Sequence, residues 1–223
     1  MAELTTYTPT VGDAAVAHSS RRGRALKRGL DLVGGSILLV LAAVPMAGLA
    51  LLVKVTSRGP IVFKQERVGR DGRSFVILKF RTMVNGMYDD VRNDRDLWRE
   101  YVEHDFKLPP HLARLTSVGS LLRKLSLDEL PQLINIIKGD MGLVGVRPVE
   151  RAQFEARGAT SQALYTTFRP GLTGLWQVEG RSDVQHDHRV ELDDTYVLTW
   201  APWADVRLLA RTPLAVLRMR RSV

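Results

Sequence analysis

The sequence contains no cysteine, which excludes disulfide bonds and thiolate metal sites throughout its 223 residues. Acidic residues are also in the minority: 24 Asp and Glu stand against 32 Lys and Arg, which leaves a formal net charge of +8. An excess of positive charge indicates an anionic partner, and nucleic acid, lipid headgroups and phosphorylated substrates all fit that description.

The basic residues gather in two clusters, and both clusters lie beside apolar sequence. The first contains Arg21, Arg22, Arg24, Lys27 and Arg28, and the second contains Arg207, Arg211, Arg218, Arg220 and Arg221. Cations next to apolar sequence are typical of proteins that contact membrane lipids. The sequence has no helix-turn-helix, zinc-finger or RRM signature, so a basic nucleic-acid binder is the weaker alternative and no nucleic-acid partner is expected.

An apolar segment from Leu32 to Val53 carries no charged residue. As a straight helix it would be about 33 Å long, which is enough to cross the core of a bilayer. Pro45 lies in its middle and is expected to bend the helix, and both flanks are basic, which favours the cytoplasmic side for each. We therefore predict a re-entrant helix bent near Pro45. A single span with an extracytoplasmic domain is the alternative.

The rest of the sequence predicts an α/β fold that is mostly helical with a small β-hairpin. Two strands, Ile61–Arg67 and Phe75–Arg81, are joined by a glycine-containing turn with an Asp-Gly pair. Further helices are expected at Asp94–Phe106, Asp128–Lys138, Val190–Thr199 and Trp203–Arg220, the last interrupted by Pro213 into an interfacial pair. Trp200 and Trp203 fit an aromatic belt at a membrane interface.

Two adjacent carboxylates, Asp128 and Glu129, stand at the start of a predicted helix between Arg123 and Arg147. Ser126 and Glu129 also match a capping box, which is the ordinary explanation for an isolated motif of this kind. In either case Asp128 lies at the positive end of a helix, where an ionised carboxylate and a phosphate are both favoured. An ionised aspartate can attack phosphorus, so the pair predicts a site for phosphate and a divalent metal.

Ordered motifs from Lys27 to Leu217 make the chain resemble the monotopic phosphoglycosyl transferases, also called bacterial sugar transferases. These motifs are KRGLDLVGG, FKQERVG, LKFRTM, LSLDELPQLINIIKGDMGLVGVRP, RPGLTGLWQVEGR and VELDDTYV. The resemblance implies a monotopic protein of the bacterial inner membrane whose active site faces the cytoplasm. The polar, aperiodic composition of residues 1–20 separately predicts a mobile tail. The chain then divides into this tail (1–20), a re-entrant membrane helix (21–58), a cytoplasmic catalytic domain (59–202) and a C-terminal interfacial amphipathic segment (203–223).

The resemblance also implies a reaction and a set of site residues. Asp128 would attack the sugar-bearing phosphate of a UDP-sugar and release UMP. Undecaprenyl phosphate would then accept the phosphosugar, which would initiate exopolysaccharide or O-antigen synthesis. Galactose and glucose are the leading sugars, and a homodimer is compatible with the sequence. Glu129 would bind Mg²⁺ and Arg123 would hold phosphate, and the other substrate-binding positions implied are Lys79, Arg147, Arg181 and Asp193.

Overall fold

The computed structural model describes residues 21–106, 108–109, 111–179 and 185–219, and within them ten α-helices and four short strands form. The helices are α1 (Arg21–Thr56), α2 (Met87–Asn93), α3 (Arg95–Glu103), α4 (Gly119–Lys124), α5 (Gln132–Lys138), α6 (Arg151–Glu155), α7 (Ala159–Tyr165), α8 (Leu175–Glu179), α9 (His186–Leu198) and α10 (Pro202–Met219). The strands are β1 (Val62–Val68), β2 (Ser74–Phe80), β3 (Gly142–Val144) and β4 (Gly171–Thr173). The predicted class, mostly helical with a small sheet, is confirmed.

Strands β1 and β2 form the predicted antiparallel hairpin, with bounds within one residue of those expected. At the turn, Asp71 and Gly72 have φ values of 59° and 72°, the left-handed conformation that an Asp-Gly pair adopts at low cost. The register pairs Phe63 with Lys79 and Arg67 with Phe75. Because paired residues share a face and successive residues alternate, Arg67 and Lys79 project from the same face of the hairpin.

A second, parallel sheet of β3 and β4 was not foreseen, because each strand has three residues and carries no readable pattern. Its backbones approach closely at glycines. A Cβ atom on Gly171 would lie 2.1 Å from the amide nitrogen of Gly145, and one on Gly174 would lie 2.1 Å from the carbonyl oxygen of Gly145. Glycine is therefore required where the loop after β3, which carries Arg147, passes beside β4.

Helix α1 packs on the rest of the chain along one stripe that runs nearly its whole length. The stripe consists of the buried Lys27, Asp31, Gly35 and Val53 and the partly buried Leu39, Ala42, Met46, Leu49 and Ala50. These residues recur every three or four positions, as one face of a helix does. The opposite face is apolar and exposed, with Val40 and Val44 at 75% and 82% exposure.

Buried charges anchor the N-terminal part of α1. The Lys27 ammonium donates to the Val144 carbonyl oxygen at 2.9 Å and to the Asp205 carboxylate at 2.7 Å. The Asp31 carboxylate accepts from the Leu143 amide at 2.8 Å. Burial, the largest influence, raises the pKa of Asp31 against the opposing attraction of Lys27. These contacts join α1 to β3 and α10.

The KRGLDLVGG motif also docks α1 on α5. Arg28 donates to the carbonyl oxygens of Ile136 and Ile137 at 2.7 and 3.1 Å, near the C-terminal end of α5, where a cation complements free carbonyls. Gly35 allows close packing, since a Cβ there would lie 2.9 Å from the Ile136 side chain. The KRGLDLVGG motif is thus a docking segment.

Asn135 fixes α5 against the edge of the hairpin. Its side chain, only 1% exposed, donates to the Val76 carbonyl oxygen at 2.8 Å and accepts from the Leu78 amide at 3.0 Å. The amide side chain therefore replaces a strand partner for β2 and satisfies two backbone groups. This bridge sets the position of Lys79, one residue further along β2, relative to the segment that leads into α5.

Several local expectations are wrong. The helix expected at Asp94–Phe106 ends at Glu103, because Asp105 and Phe106 adopt left-handed φ values of 57°. The C-terminal helix continues through Pro213 to Met219 as one element rather than a pair. Its preceding turns are held by Leu208, which is 5% exposed and belongs to the main core, so packing offsets the hydrogen bond that proline cannot donate.

Trp200 is also misplaced by the sequence prediction. It is 5% exposed, its ring centroid lies 5.2 Å from that of Phe168, and its indole N–H donates to Asp205 at 3.1 Å. Trp203, in contrast, is 75% exposed. The two tryptophans three residues apart therefore face opposite environments, one in the core and one on the surface.

Candidate active site

A narrow cleft opens where the hairpin, the segment before α5 and the loop after β3 meet. Its lining residues are Arg67, Ile77, Lys79, Glu129, Gln132, Arg147, Pro148, Gly171, Leu172 and Gln177. Three of the lining side chains are cationic and one is an acid. A cleft with this charge balance attracts an anionic ligand, and guanidinium and ammonium groups are the usual partners of phosphate oxygens.

Glu129 is the acid of the cleft, and it is held in place by two neighbours. The Lys79 ammonium contacts its carboxylate at 2.6 Å, and the buried Gln132 donates to it from the first turn of α5. Burial acts to raise the pKa of Glu129, but the charges of Lys79 and Arg147 and these hydrogen bonds outweigh it, so the pKa is lowered. Glu129 is therefore an ionised carboxylate with a fixed orientation.

Asp128 has a contrasting environment. It is 9% exposed, and burial together with the adjacent Glu129 charge raises its pKa to about 6, against the opposing fields of Lys79 and Arg123. It is not among the lining residues of the cleft but lies next to Glu129 in the chain. Neighbouring carboxylates whose pKa values are pushed in opposite directions are typical of sites that divide two chemical tasks between two acids.

The capping-box interpretation of Ser126 is wrong. Ser126 has a φ of 55°, its side chain makes no capping bond, and Glu129 contacts Lys79 instead of reaching back to it. Residues Leu127–Glu129 form a single 3₁₀ turn, and α5 begins after Pro131. A left-handed serine costs about 1 kcal/mol or more, and such strain is concentrated at functional sites.

Arg147 is oriented by contacts on two sides. Its guanidinium lies 5.2 Å from the Trp176 ring centroid. On the other side, its backbone amide contacts the Asp193 carboxylate. Asp193 is itself 2% exposed and forms a buried ion pair with Arg157 at 2.7 Å. Burial raises the pKa of Asp193 to about 6, although Arg157 opposes the rise.

The structure thus brings together most of the residues implied by the sequence. Lys79, Glu129 and Arg147 line one cleft, and the charges of Lys79 and Arg123 act on Asp128. Asp193 lies behind Arg147 and is paired with Arg157 rather than lining the cleft. The remaining predicted position, Arg181, lies outside the described residues.

Three polar lining residues were missed by the sequence reasoning: Arg67, Gln132 and Gln177. Arg67 lies within the FKQERVG motif, and the strand alternation that places Lys79 would also have placed it on the same face. Within the described part of the chain, Arg67 Nε, Gln177 Oε1 and the nearby Trp176 Nε1 are buried and have no hydrogen-bond partner. Buried polar atoms are rarely left unpaired, so these three atoms fit a site that is completed by a polar ligand.

The donor set also bears on a divalent metal. In the portion of the chain that is described, no three His, Asp or Glu side chains converge on one point. Asp128 and Glu129 therefore offer at most two carboxylates. Mg²⁺ commonly binds one or two carboxylates and takes its other ligands from water and substrate phosphates, so this donor set fits Mg²⁺ bound together with a phosphorylated ligand.

These features define a helical α/β protein with a long apolar surface helix and a cationic cleft suited to phosphate groups. Residues 22–219 match the family model described as bacterial sugar transferase, and the chain belongs to that family. One described helix, Arg22–Thr56, is long and apolar enough to cross a membrane, with a mean hydropathy of 2.6 over its most apolar window.

Three curated relatives illustrate the family. The chain is 42% identical over 213 residues to the UDP-galactose-lipid carrier transferase of Erwinia amylovora, which covers 93% of this chain and 43% of that protein. It is 43% identical over 205 residues to the undecaprenyl-phosphate galactose phosphotransferase of Salmonella typhimurium, and the match covers 90% of this chain and 42% of that protein. The exopolysaccharide production protein ExoY of Rhizobium meliloti is 39% identical to it, and the match covers 90% of this chain and 89% of that protein. The chain therefore spans about two fifths of the first two relatives and most of the third.

Proposed function

We propose that this protein is a phosphoglycosyl transferase that moves a sugar-1-phosphate from a UDP-sugar to undecaprenyl phosphate and releases UMP. One observation carries the proposal: Asp128, buried and with its pKa raised to about 6, stands beside a Glu129 that is fixed by Lys79 in a cationic cleft. The names of the relatives supply the lipid acceptor and rank UDP-galactose first among donors. UDP-glucose remains the second donor to test.

In the first half-reaction, an Asp128 carboxylate oxygen attacks the phosphorus that carries the sugar. The bond from that phosphorus to the bridging oxygen breaks, and UMP leaves with the electron pair. The sugar phosphate is now joined to Asp128 as an acyl phosphate. Desolvation of Asp128 strengthens its nucleophilicity once it is ionised, and Lys79 and Arg147 balance the negative charge that gathers on the phosphates.

In the second half-reaction, a phosphate oxygen of undecaprenyl phosphate attacks the same phosphorus. The acyl phosphate bond breaks, and Asp128 is regenerated as a carboxylate. Glu129 would be a ligand to Mg²⁺, which would neutralise the diphosphate of the donor. Lys79 would then share Glu129 with the metal and hold the carboxylate in its observed orientation.

We further propose that α1 is re-entrant and that the site faces the cytoplasm of the bacterial inner membrane. The contacts of α1 support this arrangement, since its packed stripe holds it on the domain from Lys27 to Val53 while the opposite face is apolar, exposed and therefore suited to lipid. The exposed Trp203 and Leu214 on α10 add an apolar surface suited to the interface. A helix held on the domain along its length would keep its two ends on the same face of the membrane.

The topology is tested with cysteines, which the natural sequence lacks. Ser20→Cys directly precedes α1, Thr56→Cys replaces its last residue, and neither substitution changes the charge. We expect a membrane-impermeant maleimide to label neither variant in intact spheroplasts and both after the membrane is opened. Labelling of Thr56→Cys from outside, with Ser20→Cys protected, would instead support the single-span alternative.

The proposed reaction is tested by UMP release. The protein in nanodiscs is mixed with Mg²⁺, undecaprenyl phosphate and, in turn, UDP-galactose, UDP-glucose and UDP-N-acetylglucosamine. We expect sustained UMP release with at least one donor and only stoichiometric release when the lipid phosphate is omitted. Absence of UMP release with every donor and acceptor present would contradict the proposal.

The pH dependence of the first half-reaction is expected to follow Asp128. Below its pKa of about 6, the carboxyl is protonated and cannot attack, so kcat/KM should fall about tenfold per pH unit. Glu129→Gln removes a charge that raises the pKa of Asp128 and should move this acid limb to lower pH. Lys79→Met removes a charge that lowers the pKa and should move it to higher pH.

The limb is read from kcat/KM for UMP release between pH 4.5 and 9. Asp96→Asn is the matched control, because the Asp96 side chain is 87% exposed. It should leave the limb in place. If kcat/KM fell at the same pH in the Glu129→Gln and Lys79→Met variants, the assignment of this fall to Asp128 would be contradicted.

A further inference from the structure

Arg67 stands in the cleft without a role in the mechanism above. Arg67 lies on the same face of the hairpin as Lys79. Lys79 pairs with Phe63 on β1, and Arg67 is four residues further along that strand. That spacing is about 13 Å between backbones, and both side chains nevertheless line the same cleft. Their long side chains therefore converge from the two ends of the hairpin.

A set of polar side chains next to the hairpin, which includes Gln65 from the same face as Arg67, holds Nη2 of the Arg67 guanidinium. Its Nη2 donates to Gln65 Oε1 and lies 3.5 Å from the Glu150 carboxylate. Glu150 is 7% exposed and also accepts from Gln65 Nε2 at 3.1 Å, from Tyr101 at 2.7 Å and from Tyr88. The Glu150 carboxylate has three hydrogen-bond donors besides the Arg67 ion pair, so it is well satisfied and helps to fix the guanidinium in position.

One N–H of the same guanidinium is not used by these contacts. Arg67 Nε is buried and has no partner within the described residues, although Arg67 lines the cleft. Burial raises the pKa values of Tyr88 and Tyr101, with Glu150 adding to the rise, so both phenols remain protonated donors to Glu150. A guanidinium that is held in place, lines a cationic cleft and keeps an N–H without a partner in the described chain is suited to phosphate oxygens.

We infer that Arg67 binds the diphosphate of the nucleotide-sugar donor and that Gln65 positions it for this contact. The lining contains three cations against one acid, Glu129. Lys79 is paired closely with Glu129 at 2.6 Å, whereas Arg67 lies 3.5 Å from Glu150 and keeps an N–H without a partner among the residues that the structure describes. Arg67 can therefore add to the charge that Lys79 and Arg147 offer to the ligand. This inference rests on the proposed function, because it takes a UDP-sugar as the ligand.

UDP binding tests the inference without requiring turnover. Each variant in nanodiscs is titrated with UDP by calorimetry. Arg67→Gln should weaken UDP binding about 10- to 100-fold, the usual loss for hydrogen bonds to a charged group. Arg73→Gln is the matched control, since it removes the same charge from an exposed position of the same hairpin. It should bind UDP within about twofold of the natural protein.

The positioning role is tested with Gln65→Met, which removes the contacts to Arg67 and Glu150 without changing charge. We expect about fivefold weaker UDP binding in this variant and no further loss when it is added to Arg67→Gln. If Gln65→Met weakened UDP binding equally in the natural protein and in Arg67→Gln, Gln65 would have a role that is independent of Arg67. That result would overturn the positioning role.

The outcomes separate this inference from the proposed function, because UMP release by the natural protein is measured in parallel. If UMP is released and Arg67→Gln binds UDP as the natural protein does, the inference alone fails. If UDP binding depends on Arg67 but no UMP is released, the inference stands and the proposed reaction fails. If the natural protein does not bind UDP, the inference is overturned.

Discussion

Asp128→Asn should abolish UMP release, with a loss of about 10⁴-fold or more, because the amide cannot form the acyl phosphate. The natural protein incubated with its UDP-sugar and Mg²⁺ but without lipid phosphate should gain the mass of one sugar phosphate. Intact-protein mass spectrometry should show no such gain for Asp128→Asn. The change is nearly isosteric, so the cleft around Glu129 and Lys79 is expected to remain formed.

Stability provides the control for this variant. Because the pKa of Asp128 is raised to about 6 in the folded protein, its ionised form is disfavoured by folding, and stability is lost as pH rises through that range. Asp128→Asn should therefore melt at the same temperature as the natural protein or higher at pH 8. A stable Asp128→Asn variant that still gains the sugar-phosphate mass, or that turns over at the natural rate, would rule out Asp128 as the nucleophile.

The largest loss of stability is expected for Arg157→Met. Arg157 and Asp193 form an ion pair at 2.7 Å with side-chain exposures of 2% and 3%. Removing one partner of a buried pair costs about 3–5 kcal/mol, because the other charge stays buried and uncompensated. For a chain of this length that loss corresponds to a fall in Tm of about 6–20 °C, measured by thermal unfolding in detergent.

The loss should depend on pH in a definite direction. The pKa of Asp193 is already raised to about 6 by burial, and Arg157 opposes the rise. Without Arg157 the pKa rises further, so Asp193 is neutral in the folded variant over a wider range at low pH. The fall in Tm caused by Arg157→Met should consequently be larger at pH 8 than at pH 5.

A matched variant separates burial from charge. Arg99→Met removes an arginine from an ion pair with Asp96 whose side chains are 65% and 87% exposed. Exposed pairs contribute little, so its Tm should change by less than about 2 °C. Adding Asp193→Asn to Arg157→Met should recover part of the loss by removing the uncompensated charge. A fall for Arg157→Met no larger than that for Arg99→Met would contradict the buried pair.

The hairpin and the acidic pair are the elements that could be predicted closely from the sequence. An Asp-Gly turn between two apolar-rich runs fixes a hairpin locally, and the structure agrees within one residue at each strand end. The expected helix at Asp94–Phe106 was too long, because nothing in its composition announces the left-handed Asp105 and Phe106. Trp200 was assigned to the surface, because the sequence does not show that Asp205 and Phe168 meet its ring.

The sequence by itself determined the apolar helix, the hairpin, the Asp128–Glu129 pair and the family. Each of these depends on residues adjacent in the chain or on ordered motifs. Only the tertiary structure decided the long-range contacts that hold the helices together and form the cleft. Lys79 meets Glu129 across 50 positions, Arg157 meets Asp193 across 36 and Lys27 meets Asp205 across 178. Such pairs depend on how helices and strands pack, and packing is set by the summed burial of many side chains rather than by any local pattern.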